Sequence, residues 1–300
     1  MLSVFMDTSD EWIRTRTGIL ERRIISDENL KDLAVEAAKR ALEEAKMDGS
    51  ELDYIICSNV VNYYVTPSLS CLIAGEINAS CPCVDLNAAC SGFVYGLDMA
   101  QAYQMSGKAK NILVICAEDP PRMCSWKDRN TAVLFGDGAA AAVVTEGDDF
   151  KASYITARHR PEILYYQRPL EDCPFVKYQQ RGVPMYMNGK EVFKMAVNAS
   201  VEGIERILKE TGLTADQVDH YILHQANMRI IETIRTQLHQ PVEKFPHNIE
   251  RLGNTSSATI PILLDELNKT GKLKNGDTIV LSGFGAGFTA GTCLFTWTMN

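Results

Sequence analysis

Apolar residues along the chain alternate between the spacing of helices and the short continuous runs of buried strands. In residues 30–45 they recur every three or four positions, which predicts one amphipathic helix. Residues 54–61 and 83–86 are short apolar runs typical of strands that are buried on both faces. Residues 93–105 again have the helical repeat, and Gly107 ends the predicted helix.

Further strands are predicted before the middle of the chain. Residues 111–117 form another apolar run. Residues 131–135 and 139–145 are apolar segments on either side of the Gly-Asp-Gly sequence at 136–138, which has the composition of a tight turn. We therefore expect these two segments to form a hairpin.

The second part of the chain repeats this organisation. Helices are predicted at residues 191–211, 228–238 and 256–268, and strands at 221–223, 278–282 and 289–297. Because strands alternate with helices throughout, we predict an α/β protein of two similar halves, residues 1–150 and 151–300, with largely parallel strands between helices. Residues 158–187 have little periodicity and predict a long functional loop over a site.

Composition and charge narrow the range of functions. The net charge of -8 argues against general nucleic-acid binding, which needs a basic surface. No apolar stretch reaches the roughly 18 residues of a membrane span, and the first residues lack the basic and apolar regions of a secretion signal. The nine cysteines do not have the spacing of a metal site or a disulfide framework. We expect a cytoplasmic protein with reduced thiols and no bound metal.

One cysteine differs from the others in its surroundings. Cys90 lies between a predicted strand and a predicted helix, within the sequence Ala-Ala-Cys-Ser-Gly. The positive end of the helix dipole would favour its thiolate, and free backbone N–H groups would face an oxygen beside the sulfur. This position predicts a nucleophile. The alternative is a small buried thiol, which is the commoner role of a free cysteine.

His224 and Asn254 lie at comparable junctions. His224 follows a predicted strand in Leu-His-Gln-Ala-Asn, and Asn254 precedes a predicted helix in Gly-Asn-Thr-Ser-Ser. Each residue alone is a weak signal, because a lone histidine at such a position is more often a capping or hydrogen-bonded core residue and Asn254 has the position of an N-cap or turn residue. Together with Cys90 they provide the nucleophile and orienting groups that covalent catalysis uses.

Two other segments have the composition of ligand-binding surfaces. The glycines of Phe-Gly-Ala-Gly-Phe at 284–288 would let the backbone approach a ligand closely, and a plain tight bend is the alternative. Trp12 and Arg16, with Arg129 from a polar loop, provide planar groups that stack on a base and bind phosphate. The alternative for this cluster is a solvated face with a packed tryptophan. Neither a GxGxxG nor a P-loop sequence occurs, so these modes of nucleotide binding are not predicted.

Several short sequence blocks occur in one order along nearly the whole chain. They are DTSDEW at 7–12, TRTGI at 15–19, AACSGF at 88–93, FGDGA at 135–139, EVFK at 191–194, HQAN at 224–227, GNTS at 253–256 and GAGF at 285–288. In this combination the chain resembles the thiolase-fold condensing enzymes, specifically the beta-ketoacyl-acyl-carrier-protein synthase III family.

The resemblance implies a thiolase-like α/β fold of two similar halves. Each half would have a mixed five-stranded sheet, and the whole would be a five-layer αβαβα sandwich that forms a homodimer. Family members have a strand before the position of Asp7, the first and central strand of the first sheet. We expect that strand to be missing here or partly replaced by residues 1–6.

The resemblance also implies a reaction. Cys90 would take an acyl group from acyl-CoA while the backbone N–H groups of Cys90 and Ala286 hold the thioester oxyanion. Malonyl-acyl carrier protein (malonyl-ACP) would then lose carbon dioxide while His224 and Asn254 donate hydrogen bonds to the enolate oxygen. The carbanion would attack the acyl-cysteine and give 3-oxoacyl-ACP, the first step of fatty acid synthesis. Acyl-CoA is a substrate in this scheme, and no permanently bound cofactor is implied.

The same resemblance assigns binding residues. It implies coenzyme A (CoA) contacts from Thr8, Trp12, Arg16, Arg129 and Phe193. It also implies a basic doorway of Lys194, Arg229 and Arg235 for the acidic carrier protein. Such a local patch attracts an acidic partner even though the whole chain is acidic.

Three alternatives remain open from the sequence. A polyketide- or quinolone-type acyltransferase of the same fold would use another acceptor, and residues 158–187 do not match the usual loop of the family. An acyl-thioester hydrolase would need a base that activates water, which Asn254 beside His224 does not favour. A catalytically compromised protein that only forms dimers is the third. Two local departures from the family are Ala286 in place of a glycine and Lys190 in place of an asparagine.

Overall fold

The computed structural model describes residues 2–170, 174–175 and 182–298. Its strands are β1 (Tyr54–Ser58), β2 (Cys83–Leu86), β3 (Ile112–Glu118), β4 (Gly138–Val144), β5 (Phe150–Ala157), β6 (Leu164–Gln167), β7 (Val183–Met187), β8 (His220–Leu223), β9 (Thr278–Gly285) and β10 (Thr289–Thr296). Its helices are α1 (Asp10–Thr17), α2 (Leu30–Glu44), α3 (Leu69–Glu76), α4 (Gly92–Met105), α5 (Gly189–Thr211), α6 (Met228–Gln237), α7 (Ile249–Leu252) and α8 (Thr259–Lys269).

The strands form two mixed sheets with matching topology. In the first sheet, with order β2-β1-β3-β4, β1 is parallel to β2 and β3, and β4 is antiparallel to β3. In the second, with order β8-β9-β10-β5, β8 and β9 are parallel, and β10 is antiparallel to both β9 and β5. This similar strand order confirms the prediction of two similar α/β halves. Our division at residue 150 stays a prediction.

Each sheet has four strands within the described residues, whereas we expected five. We also expected a gap at the centre of the first sheet, and this was wrong because β1 pairs directly with β3. The second sheet shows where a further strand belongs. There β5 covers the outer edge of β10, while β4, the counterpart of β10, pairs only with β3 among the described residues. A fifth strand of the first sheet would therefore lie at the edge of that sheet, next to β4.

The two sheets lie within five layers, as predicted. Alternate residues of a buried strand contact opposite faces, so Ile55 packs on α2 and α3 while Ile56 packs on α4. In the second sheet Ile279 faces α4 and α8, and Val280 faces α5 and α6. The order is thus α2 and α3, first sheet, α4 and α8, second sheet, α5 and α6. The central helices α4 and α8 bring the ends of both sheets together.

Local sequence explains where the main helices begin and end. Asn29 and Asp32 form a reciprocal capping box at the start of α2. Asn188 caps α5, and Gly212 ends that helix with a φ of 72°. These boundaries agree with the helices predicted at 30–45 and 191–211 to within two residues.

The predicted hairpin around residues 136–138 was wrong. Residues 131–134 form turns, Phe135 forms an isolated bridge with Asn254, and β4 pairs with β3 instead. The Asp137 carboxylate accepts a hydrogen bond from the Ile25 N–H at 2.6 Å, and the Gly136 N–H donates to the Asn254 carbonyl at 3.1 Å. Composition indicated a turn here, but the partners of that turn come from remote parts of the chain.

The long loop predicted at residues 158–187 contains a small hairpin. Its strands β6 and β7 are antiparallel, and the rings of Tyr165 and Tyr186 stack with centroids 5.2 Å apart. Residues 171–173 and 176–181 of the predicted loop lie outside the described residues. Among the helices of the described part, none has the length and apolar character needed to cross a membrane.

Candidate active site

The candidate nucleophile lies in a tight turn between β2 and α4. Cys90 is the middle residue of a 3-10 turn, Ala89–Ser91, and α4 follows at once. The Ser91 hydroxyl donates to the Ala88 carbonyl at 2.7 Å, and a Cβ on Gly92 would lie 1.8 Å from the Ser58 hydroxyl oxygen. Glycine is therefore required for the start of α4 to lie this close to β1. These contacts fix the turn that carries the thiol.

The end of β9 packs against the same turn. A Cβ on Gly283 would lie 3.2 Å from the Ser91 Cα, and one on Gly285 would lie 2.5 Å from the Cys90 nitrogen. Ala286 follows directly. The Thr289 hydroxyl is within hydrogen-bond distance of the carbonyls of both Ala88 and Ala286. The structure thus brings the two backbone segments of the predicted oxyanion hole together.

The electrostatic environment of Cys90 differs from our expectation of a stabilised thiolate. Burial and the charge of Glu118 raise the pKa of the half-buried Cys90 thiol to about 12, although a hydrogen bond from Ser256 opposes them. Loss of water around a charge at this depth outweighs the turn's favourable position. The resting side chain is consequently a neutral thiol.

His224 directly follows β8, as predicted, and is almost completely buried at 1% exposure. Its backbone N–H donates to the Ser282 carbonyl at 2.8 Å, and its ring meets the edge of Phe284 with centroids 5.0 Å apart. The Nδ1 atom lies 2.7 Å from the Thr259 hydroxyl. Burial lowers the pKa of His224 to about 3, so the imidazole is neutral.

Asn254 is held by backbone hydrogen bonds on both sides. Its N–H donates to the Leu134 carbonyl at 2.9 Å, and its carbonyl accepts from the Gly136 N–H. Its side-chain Oδ1 accepts from the Ser256 N–H at 2.8 Å, which leaves the Nδ2 group as the available donor. The preceding Gly253 has a φ of 66°, and a Cβ there would lie 2.7 Å from Arg22.

Two residues that we gave no role from the sequence connect these groups. The Ser256 hydroxyl donates to the Cys90 sulfur at 3.4 Å, and the Ser256 carbonyl lies 3.1 Å from the Thr259 hydroxyl. Thr259 in turn contacts His224, and the Ser256 N–H binds Asn254. Ser256 therefore links Cys90 and Asn254 directly and links His224 through Thr259. The only signal in the sequence was the small polar run after Asn254.

The predicted aromatic and basic cluster is also assembled. The guanidinium groups of Arg16 and Arg129 lie 5.3 Å and 4.9 Å from the centroid of Trp12. Arg129 also donates to the Asp7 carbonyl at 2.8 Å. The Thr8 hydroxyl oxygen is buried and has no hydrogen-bond partner among the described residues.

This cluster is joined to the elements that carry His224. The Asn227 side chain donates to the Arg16 carbonyl, and Arg229 donates to the Thr15 carbonyl, both at 3.1 Å. The hydrogen bonds attach α1 to the start of α6, only a few residues after His224. Phe193 is half-buried on α5 and packs on the core of the second half.

The three cations of the predicted doorway differ in their surroundings. Lys194 on α5 is exposed and forms no ion pair among the described residues, and Arg229 is exposed at the start of α6. Arg235 is bound to the Glu232 carboxylate at 2.9 Å and to the Gln240 carbonyl. Lys194 and Arg229 are thus the more available to an acidic partner.

Two models of known protein families match this chain, and the matched segments contain most strands of both sheets. Residues 84–159 match the family model described as 3-oxoacyl-[acyl-carrier-protein (ACP)] synthase III, and residues 208–297 match the model of its C-terminal part.

Known relatives are similar over nearly the full chain. A beta-ketoacyl-[acyl-carrier-protein] synthase III of Clostridium novyi is 41% identical over 99% of this chain and 93% of its own length. The crystal structure of the Aquifex aeolicus 3-oxoacyl-[acyl-carrier-protein] synthase III has a TM-score of 0.91 and 42% identity, and covers 99% of this chain and 94% of its own. The priming beta-ketosynthase of the R1128 polyketide biosynthetic pathway has a TM-score of 0.92 and 33% identity, over 99% and 91%.

Proposed function

Because the chain belongs to the beta-ketoacyl-[acyl-carrier-protein] synthase III family, we propose that it joins an acyl-CoA primer to malonyl-ACP through an acyl-Cys90 intermediate. It is an acyl-transferring condensing enzyme of the thiolase fold that initiates fatty acid synthesis. The observation that supports this mechanism is the hydrogen-bonded arrangement in which Ser256 and Thr259 join Cys90, His224 and Asn254.

The first step is transfer of the acyl group. The Cys90 sulfur attacks the thioester carbonyl carbon of acyl-CoA, and negative charge develops on the carbonyl oxygen. Backbone N–H groups of Cys90 and Ala286 are the proposed donors to that oxygen, because Gly285 brings the two segments into contact. The Cys90 S–H bond and the carbon–sulfur bond to CoA both break in this step, and CoA leaves as the thiol because its sulfur gains the one proton that Cys90 loses.

The second step is decarboxylation and condensation. When malonyl-ACP loses carbon dioxide, the electron pair of the broken bond moves onto the thioester as an enolate. The imidazole of His224 and the Nδ2 group of Asn254 would each donate a hydrogen bond to the enolate oxygen. Both groups are neutral and buried, so they stabilise the charge without protonating it. The enolate carbon then attacks the acyl-Cys90 carbonyl, the carbon–sulfur bond breaks with its electron pair on the Cys90 sulfur, and 3-oxoacyl-ACP forms. The Cys90 thiolate then takes up one proton from water and becomes the neutral thiol again.

The tautomer of His224 follows from this role. Nε2 must carry the proton that is donated to the enolate, so Nδ1 must accept. The Thr259 hydroxyl, 2.7 Å from Nδ1, would then have to donate its one proton to Nδ1 instead of to the Ser256 carbonyl 3.1 Å away. In this role Thr259 would keep the imidazole in the form that the second step needs.

We assign the two binding surfaces as follows. Trp12 and Arg129 would hold the adenine of CoA, with Thr8, Arg16 and Phe193 nearby, because Arg129 already lies over the Trp12 ring. Lys194 and Arg229 would attract the acidic carrier protein, with Arg235 contributing less because of its bond to Glu232.

A homodimer and a cytoplasmic location are also part of this proposal. β2 is an edge strand, its residues are half-buried, and β1 is its only strand partner among the described residues. Such an edge favours pairing with the same strand of a second copy. The eight described cysteines are all free, which suits a reducing compartment.

Intact-mass spectrometry after mixing with a panel of acyl-CoAs tests the proposal. Wild-type protein should gain the mass of one acyl group, and Cys90→Ala should gain none. His224→Ala and Asn254→Ala should still be acylated but should fail to release carbon dioxide from malonyl-ACP. Normal condensation by either variant would remove that residue from the mechanism. The accepted acyl groups would also separate a fatty acid primer from that of a polyketide-type synthase.

The same experiment tests the hydrolase alternative. A hydrolase would release free acid from acyl-CoA in the absence of malonyl-ACP, whereas a condensing enzyme should retain the acyl group on Cys90. Circular dichroism of the wild-type protein would identify a chain that does not fold into an active form.

A further inference from the structure

A half-buried arginine packs against the segment that carries Asn254. A Cβ on Gly253, the residue before Asn254, would lie 2.7 Å from the Arg22 Cγ and 3.1 Å from its Cδ. A Cβ on Gly136 would lie 3.4 Å from the Arg22 Cβ. The aliphatic part of the Arg22 side chain, from Cβ to Cδ, is its stem. This stem fills the space beside two glycines that have no side chain of their own.

Both glycines belong to the backbone contact that holds Asn254. The Asn254 N–H donates to the Leu134 carbonyl at 2.9 Å, and the Gly136 N–H donates to the Asn254 carbonyl at 3.1 Å. Gly253 has a φ of 66°, so the chain turns sharply just before Asn254. The direction of the Asn254 side chain therefore depends on a turn against which the Arg22 stem packs.

The charge of Arg22 does not explain its position. The Nε atom is buried and has no hydrogen-bond partner among the described residues, and no ion pair in that part of the chain includes Arg22. A cation that is removed from water usually has a carboxylate partner. The contact of the stem with Gly253 and Gly136 is therefore the interaction that this side chain contributes here.

The backbone on both sides of Arg22 is fixed to the neighbouring loops. Before it, the N–H groups of residues 20 and 21 both donate to the Glu250 carbonyl of α7 at 2.9 Å. After it, the Arg23 carbonyl accepts from the Asp137 N–H at 2.7 Å. These hydrogen bonds leave the Arg22 backbone little freedom, so its stem meets the two glycines in one position.

We propose that the Arg22 stem holds Asn254 where its Nδ2 group can donate to the enolate oxygen. This inference rests on the decarboxylation step proposed above. Without the stem, a void opens beside Gly253, and the turn can relax into it and carry the amide away from the enolate. Because Arg22 acts through Asn254, it is a positioning residue.

The two chemical steps should respond differently to loss of the stem. Acylation uses Cys90 and backbone donors that pack against Gly285, whereas Arg22 packs against Gly253 and Gly136. Decarboxylation uses the amide that the stem holds. Truncation of Arg22 should therefore slow decarboxylation and leave acylation nearly unchanged.

Four variants separate the stem from the charge. Arg22→Ala removes both, and Arg22→Met keeps a stem of similar length without the charge. Arg22→Val keeps part of the stem and should give an intermediate result, so the test remains available if Arg22→Ala does not fold. Arg23→Ala is the matched control, because Arg23 is the adjacent cation, its side chain is 64% exposed and its ion pair is with Glu21.

Three measurements follow the effect. Release of carbon dioxide from labelled malonyl-ACP should slow by about 10- to 100-fold in Arg22→Ala, while acylation by acyl-CoA, followed by intact mass, should change by less than about 2-fold. Hydrogen exchange of peptides that contain Gly136 and Asn254 should be about 10-fold faster, because their N–H groups open more often. Arg22→Met and Arg23→Ala should match wild type in all three measurements.

A double variant tests whether the effect passes through Asn254. In Asn254→Ala the amide is already absent, so adding Arg22→Ala should slow carbon dioxide release by less than about 2-fold more. A full further loss would overturn the inference, because Arg22 would then act by another route. Equal losses of acylation and decarboxylation in Arg22→Ala would also overturn it, and so would a loss in Arg22→Met as large as that in Arg22→Ala.

Hydrogen exchange keeps this inference separate from the proposed function. If the wild-type protein releases no carbon dioxide from malonyl-ACP, the proposed function fails. Exchange at Gly136 and Asn254 still decides whether Arg22 holds this segment. Faster exchange in Arg22→Ala but not in Arg22→Met would support that role, and equal exchange in wild type and Arg22→Ala would refute it.

Discussion

Gly285 at the end of β9 lies so close to Cys90 that a Cβ would be 2.5 Å from the Cys90 backbone nitrogen. It would also lie 2.7 Å from the Ala89 Cβ, and neither a backbone nitrogen nor a Cβ can rotate away from the contact. The nucleophile turn of the first half and the last hairpin of the second half therefore depend on a glycine for their contact. This contact positions the predicted oxyanion donors.

Gly285→Ala should disturb the site more than the fold. The added methyl group forces the turn and β9 apart, which should lower the free energy of unfolding by about 1–3 kcal/mol. Displacement of the reacting groups by about 1 Å should slow Cys90 acylation by about 100-fold. Urea unfolding and intact-mass kinetics measure the two effects. Gly75→Ala on α3, where a Cβ has no atom within 4 Å, is the control and should be neutral or slightly stabilising.

The positions of Cys90, His224 and Asn254 could be predicted because each lies at a junction between elements that local patterns identify. Their connections could not. The Ser256 hydroxyl and the Cys90 sulfur are separated by 166 residues in sequence, and Ser257 and Glu118 by 139. Nothing in the local sequence of any of these residues indicates which remote group it will meet.

Our expectation of a Cys90 thiolate was wrong for a related reason. The sequence shows that the thiol precedes a helix, and this favours ionisation. It does not show how many atoms of the second half cover the turn. Burial depends on the packing of β9 and of residues 254–259 over Cys90, and its effect on the pKa exceeds that of the helix.

Thr259 offers a test of the His224 tautomer. Thr259→Val keeps the shape of the side chain and removes the hydroxyl next to Nδ1. The imidazole would then lose the partner that keeps its proton on Nε2, so decarboxylation of malonyl-ACP should slow by at least 10-fold. Acylation of Cys90 should change much less. Thr259→Ser restores the hydroxyl and should recover most of the decarboxylation rate.

One outcome would contradict the role of Thr259 in fixing the His224 tautomer. Equal loss of acylation and decarboxylation in Thr259→Val, without recovery in Thr259→Ser, would show that the residue only supports the packing of α8. Release of carbon dioxide from labelled malonyl-ACP, measured beside intact mass, distinguishes the two steps.

Lys194 provides a test of carrier-protein docking. Lys194→Glu should raise KM for malonyl-ACP by about 5-fold at low salt, which corresponds to one exposed charge interaction of about 1 kcal/mol. The effect should shrink at high salt because exposed charges are screened, and kcat should be unchanged. Steady-state kinetics at two salt concentrations measure it.

Lys209→Glu is the charge-matched control for this prediction. Lys209 lies in the last turn of α5, about 22 Å along the helix from Lys194 at 1.5 Å per residue. The same change in net charge there should leave KM unchanged. If both variants raise KM equally, the acidic partner responds to the overall charge of the enzyme and Lys194 has no special position.

The buried neutral state of His224 should make the protein sensitive to acid. The pKa of His224 is lowered to about 3 in the folded protein, while an unfolded chain has the usual value near 6.5. The unfolded state therefore binds a proton between these values and the folded state does not, so stability is lost as the pH falls below about 6.5. Between pH 7 and pH 5 this linkage should lower the free energy of unfolding by about 2 kcal/mol.

His224→Gln isolates this contribution. Glu118 and Asp119, whose pKa values burial raises to about 7, act in the opposite direction because they lose stability as the pH rises. They are present in both proteins, so their effects cancel in the difference. Urea unfolding at pH 7 and pH 5 should show a decrease in wild type that exceeds the decrease in His224→Gln by about 2 kcal/mol. An equal decrease in the two proteins would mean that His224 takes up a proton in the folded state, and it could not then serve as a neutral donor near pH 5.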